Sequence, residues 1–233
     1  MELALLPLGG LPISGLSVQE RAWGLELGET LRSRYWRSRA ALRQLVAHNL
    51  GCEAGEVPLH SPPGAAPRLE PGAGFVSLSH SQSPGGSMLL LAWSSRPVGV
   101  DLEAAERPLE AAAIARRFFP PQEWQTLQHL GPESLRAAVL RSWVLKEAAI
   151  KWRQRSLAED LRFWHYDQHT HRLRHLGDGA TPAVGAGLAQ GWHWAVVGEG
   201  APCAVPKPVA MLSEQNPCQP LLSKPWPGPG VPG

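Results

Sequence analysis

The alternation of apolar and polar positions divides the chain into helical and extended stretches. Residues 19–50 carry a helical period, with Leu31, Tyr35, Leu42, Val46 and Asn49 near one face and Leu45 beside it. Gly51 follows as a stop signal. A proline-rich stretch over 57–74 reads as an irregular loop. Phe75–Ser79 alternates around Val76 and Leu78, and Met88–Trp93 is a nearly unbroken apolar run, the pattern of a buried strand. Pro97–Glu103 alternates cleanly, with Val98, Val100 and Leu102 on one face and Gly99, Asp101 and Glu103 on the other. Helices are predicted over Leu109–Arg117, which ends at Pro120-Pro121, and over Pro132–Lys151. Short strands follow at Leu161–Tyr166, His171–His175 and Trp192–Val197. Residues 1–18 read as a strand and a turn, and 201–233, rich in proline and glycine, as a disordered tail.

Helix then strands, twice over, predicts an α+β fold of two similar halves, each a small antiparallel sheet packed on helices. The boundaries fall at 1–96, 97–200 and the tail. No residue-level repeat accompanies this order, so the duplication is one of architecture.

Composition narrows the function. The 233 residues hold 22 basic against 20 acidic side chains, so nothing in the balance calls for nucleic acid. Three scattered cysteines, Cys52, Cys203 and Cys218, make neither a disulfide framework nor a zinc ribbon, and they fit a reducing cytoplasm. No apolar run is long enough for a membrane span, and Pro7, Gly9, Gly10 and Pro12 interrupt the first apolar stretch, which makes a poor signal peptide. The histidines at 165, 169, 171 and 175 have no cysteine nearby and read as turn residues rather than a zinc site.

Candidate chemistry gathers at two places. Asp101 and Glu103 are two apart in a strand, so both carboxylates emerge on one face. Such a like-charged pair suits a hard cation such as Mg²⁺. Taken alone, the pair reads more simply as a solvated strand end. Glu147 and Lys151 are four apart on a helix and share a face, which alone describes a surface ion pair worth a few tenths of a kcal/mol. A stripe of Arg32, Arg39 and Arg43 edges the first long helix.

The combination is more specific than its parts. Val76-Ser77-Leu78-Ser79-His80-Ser81, Val98-Gly99-Val100-Asp101-Leu102-Glu103, Arg116-Arg117-Phe118-Phe119 and the segment Trp143 to Lys151 follow in register across residues 30–165. In these the chain resembles the 4′-phosphopantetheinyl transferase superfamily, and within it the long, single-chain, two-half, surfactin-synthetase-activating-like subgroup. The resemblance implies halves related by a pseudo-twofold axis, with coenzyme A in the cleft between them. It implies transfer of phosphopantetheine from coenzyme A to a serine of an apo acyl or peptidyl carrier protein, as in a holo-acyl-carrier-protein synthase, by a cytoplasmic monomer. It assigns Mg²⁺ to Asp101, Glu103 and Glu147. It turns Lys146 and Lys151 toward the phosphates, and Ser79, His80, Arg39 and Arg43 toward the adenosine phosphate end. Glu147 is the candidate base and Lys151 the candidate stabiliser of leaving charge. Ala66-Pro67-Arg68 departs from the family's Gly-Lys-Pro loop, and Val144 stands where a small or hydroxyl residue is usual. Two alternatives are a non-catalytic coenzyme A or nucleotide-binding module, which has no need of three carboxylates and Lys151, and a nucleic-acid binder, which needs a more basic chain.

Overall fold

A computed structural model describes residues 1–202; the expected disordered tail from Cys203 onward lies outside the described residues. The first half opens with β1 (Glu2–Pro7), then α1 (Val18–Leu25) and α2 (Glu29–Leu50). Two-residue strands β2 (Leu59–His60) and β3 (Arg68–Leu69) pair within the proline-rich stretch, and the hairpin β4 (Phe75–Ser83) and β5 (Gly86–Ser94) closes the half. The second half runs β6 (Val98–Ala104), α3 (Ala111–Phe118), α4 (Pro121–Leu127), α5 (Pro132–Trp152) and α6 (Leu157–Asp160). It continues through the hairpin β7 (Trp164–Asp167) and β8 (Arg172–His175) to β9 (Val184–Ala189) and β10 (Trp192–Gly198).

Both halves use one connectivity. The three-stranded antiparallel sheets are ordered β1-β5-β4 and β6-β10-β9, so in each the opening strand pairs with the last strand of its half. Side-chain alternation then gives each sheet two apolar faces. Leu6, Leu89 and Leu91 meet Leu42, Leu45 and Val46 of α2, and Ala195 and Val197 meet Leu145, Ala148 and Ala149 of α5. The inner faces, Leu90 and Ala92 on one sheet and Val98, Val100, Leu102, Trp194 and Val196 on the other, share a third core. The layers are therefore α2, sheet, sheet, α5. Among the described residues no helix is long and apolar enough to cross a membrane.

The helical period over 19–50 is carried by two helices. Ser17 and Glu20 cap α1 reciprocally, and Gly28 caps α2. Gly51, at φ 67°, ends α2 in the left-handed conformation that glycine adopts at no steric cost. Leu31 is exposed, while Tyr35, Leu42, Leu45 and Val46 are buried. The sequence reading omits α4 and β9, and places a strand over Leu161–Phe163 where a 3₁₀ turn stands.

β6 is the strand that builds the site. A Cβ on Gly99 would lie 2.0 Å from the Ala148 carbonyl and 2.3 Å from the Trp152 amide nitrogen, so only glycine lets β6 lie this close to the last turn of α5. That approach sets Asp101 against the Glu147 and Lys151 face.

Candidate active site

Asp101 is 2% exposed and points at α5, opposite the Val98, Val100 and Leu102 face. Its Oδ1 accepts from Lys151 Nζ at 2.7 Å and from Ser79 Oγ at 2.7 Å. Its Oδ2 is buried without a hydrogen-bond partner. Lys151 Nζ also lies 3.9 Å from Glu147 Oε2. Glu103, two residues along β6, accepts from Ser81 Oγ at 2.7 Å on Oε2 and from Arg107 on Oε1. One strand, one helix face and the serines of β4 thus bring Ser79, Ser81, Asp101, Glu103, Glu147 and Lys151 together.

The electrostatics follow from three carboxylates sharing a desolvated space. Burial, reinforced by the negative charge of Asp101, pushes the Glu147 carboxyl up to about 7. Burial also raises Glu103, opposed by the Ser81 hydrogen bond and by Arg107. Burial works against the Lys151 ammonium, but the charges of Asp101, Glu147 and Glu103 outweigh it and hold the group charged above the ordinary lysine range. The cluster is short of positive charge, and the orphaned Asp101 Oδ2 is an open oxygen ligand. Among the described residues no group of three or more His, Cys, Asp or Glu side chains is placed to hold a metal ion by itself. The orphaned Asp101 oxygen and the shortage of positive charge fit Mg²⁺, which takes one or two carboxylates and completes its shell with water and substrate phosphates.

A second feature lies on α2. Arg39 is 7% exposed and, among the described residues, forms no ion pair with a carboxylate. Its guanidinium lies 4.9 Å over the Tyr35 ring, donates to the Ser38 hydroxyl at 3.2 Å and reaches the Ser61 carbonyl at 3.5 Å. Burial lowers its pKa. The Ser61 hydroxyl is also buried without a partner. A buried cation beside a free hydroxyl is a ready receptor for an anion. Sequence reasoning missed Ser61, which sits in the proline-rich stretch with no pattern to mark it. His80 is exposed on β4 on the opposite face from Ser79. Local desolvation and the fields of Arg34, Arg39 and Lys151 lower its pKa.

Two expected phosphate ligands are corrected. Lys146 is fully buried, with Nζ 2.7 Å from Glu123 Oε2 and 3.4 Å from the centre of the Phe119 ring. It stands one residue, about a quarter-turn, from Glu147, so it faces α4 and not the cleft. Arg43 is also buried. It is 2.5 Å from Glu20 and donates to the carbonyls of Ala54, Gly55, Val57 and Leu59. Glu20 of α1 and the loop after α2 thus hold its guanidinium. Ser79 is in the site, but its hydroxyl proton goes to Asp101. The histidines of the second half form no metal cluster: His175 is held by Asp160 and Asp178, and His171 bonds to the Tyr166 hydroxyl.

The chain is 33% identical over 125 residues to 4′-phosphopantetheinyl transferase HetI of Nostoc sp., a match covering 52% of this chain and 51% of that one. It is 27% identical over 150 residues to slr0495 of Synechocystis sp., provisionally given the same enzyme name, covering 63% of this chain and 60% of that one. The match thus spans about half to three-fifths of the length of these relatives. The family model that matches covers residues 97–205. That model is of the 4′-phosphopantetheinyl transferase superfamily, and the matched stretch contains Asp101, Glu103, Glu147 and Lys151.

Proposed function

We propose that this protein transfers the 4′-phosphopantetheine group of coenzyme A to a serine of an apo acyl or peptidyl carrier protein and releases 3′,5′-ADP. The observation that carries this reading is the meeting of Asp101, Glu147 and Lys151 where β6 crosses α5, in the half that matches the superfamily. In the reaction the serine oxygen forms a bond to phosphorus, the bond to the leaving 3′,5′-ADP breaks, and the serine proton passes to a base. Such chemistry is chiefly positioning and charge stabilisation. Asp101, Glu103 and Glu147 would hold Mg²⁺, which when bound neutralises the diphosphate. Glu147, which meets Asp101 and Lys151 where β6 crosses α5, is the acceptor for the serine proton. Lys151 stabilises charge on the leaving group. Arg39, Ser61 and His80 take the phosphate at the adenosine end.

The acyl-carrier-specific activity, the two-half subgroup and a cytoplasmic monomer belong to the same proposal. The test is incubation of the protein with coenzyme A, Mg²⁺ and several apo carrier proteins, read by intact mass of each carrier and by release of 3′,5′-ADP. A mass gain of one phosphopantetheine group, abolished by EDTA and restored by Mg²⁺, is expected. Release of 3′,5′-ADP without a modified carrier, or binding of coenzyme A with no turnover on any carrier, contradicts the proposal.

A further inference from the structure

The edges of the two sheets, β4 and β6, meet without a backbone ladder. Serine side chains take its place, spaced two apart so that all three project from one face of β4. The Ser77 hydroxyl accepts the Val100 amide N–H at 3.0 Å. Ser79 donates to Asp101 at 2.7 Å. Ser81 does both: it accepts the Ala104 amide N–H at 3.3 Å and donates to Glu103 Oε2 at 2.7 Å. A hydroxyl has one proton and two lone pairs. With the Ala104 amide on the lone-pair side, the Ser81 proton is directed at the Glu103 carboxylate. Glu103 is partly exposed on the edge strand β6, and its other oxygen, Oε1, pairs with the more exposed Arg107, so Ser81 supplies the hold on Oε2 from the buried side.

We infer that Ser81 is a positioning residue: from the opposite half of the molecule it fixes the Glu103 carboxylate for cation binding. The inference rests on the metal reading proposed above. It gives the serine seam a purpose beyond joining the sheets, because the same hydrogen bonds that dock the halves also aim the carboxylates. Ser77 supplies the control. It lies in the same seam and accepts a backbone amide in the same way, but it touches no carboxylate.

The experiment measures Mn²⁺ binding directly, by electron paramagnetic resonance of the free ion, in the wild type, Ser81→Ala, Ser81→Thr and Ser77→Ala, with melting temperatures alongside. Removing a hydrogen bond that orients a metal ligand typically weakens affinity by about tenfold or more. Ser81→Ala is expected to lose roughly that, Ser81→Thr to bind like the wild type, and Ser77→Ala to keep wild-type affinity while melting lower, as Ser81→Ala also does. If Ser81→Ala does not fold, Ser81→Cys, nearly the same shape with a poor donor, carries the comparison. Wild-type affinity in Ser81→Ala overturns the inference alone, as does an equal loss in Ser77→Ala, which would assign the effect to docking of the halves. Absence of Mn²⁺ binding in the wild type overturns the metal reading and the inference with it.

Discussion

Glu123→Gln separates the two roles open to Lys146. The Lys146 ammonium is completely buried, 2.7 Å from Glu123 Oε2, and rests on the Phe119 ring. Burial pulls its pKa down to about 8, with Glu123 opposing. Neutralising one partner leaves the other as an uncompensated buried charge, which costs about 3–5 kcal/mol. For a chain of this size that corresponds to a fall in melting temperature of roughly 10 °C. Lys146→Met alone strands the Glu123 carboxylate and costs a similar amount. The double variant should recover most of the loss: the methionine stem fills the lysine's channel, and the Gln carbonyl still accepts the Tyr166 amide that Glu123 Oε2 holds at 3.1 Å. Urea unfolding of the four proteins closes the cycle. A coupling of about 2 kcal/mol or more, with activity kept in the double variant, is expected. Lys146→Met with unchanged stability and abolished transfer would refute the argument and return Lys146 to the phosphates.

Three further outcomes follow from the same geometry. Arg39→Ala should raise the KM for coenzyme A roughly 10- to 100-fold with little loss of stability, because it removes a charged donor with no protein anion of its own; Arg43→Ala should do the reverse, costing about 3–5 kcal/mol in denaturant unfolding. Gly99→Ala should destabilise by about 3 kcal/mol by pushing β6 off α5, measured by calorimetry. Glu147, a carboxyl raised to about 7, keeps its proton in the folded chain where the unfolded chain has lost it. Its stabilising contribution is therefore present at low pH and lost as pH rises through about 7, so the metal-free protein should melt lower at pH 8 than at pH 5. Glu147→Gln should remove that part of the slope, and an unaltered slope in the variant contradicts it.

The sequence announces β6 because its two faces differ so sharply: aliphatic side chains alternate with Gly99, Asp101 and Glu103 in one clean period. The long α5 is equally legible from its propensity and from Pro132 at its first turn. The fates of Lys146 and Arg43 are not, since their partners lie 23 residues away, Glu123 on the unrecognised α4 and Glu20 on α1. Both pairings are tertiary facts with no local signature. β9 escapes for a related reason. Val184-Gly-Ala-Gly-Leu-Ala has neither alternation nor bulk, and its extended form comes from pairing with β10. The proximity of Ser79 and Ser81 to the carboxylates is also invisible in one dimension, although the alternation of β4 already puts Ser77, Ser79 and Ser81 on a common face.

The central claim is that the carboxylate cluster on β6 and α5 performs the transfer. Its most direct test is the rate of carrier modification by Asp101→Asn, followed by intact mass with coenzyme A and Mg²⁺ in excess and with circular dichroism to verify the fold. Asparagine keeps the shape and an acceptor for Ser79 and Lys151 but removes the charge. A folded variant slower than the wild type by roughly three orders of magnitude is the predicted result. A folded Asp101→Asn protein that modifies the carrier at the wild-type rate would contradict the account.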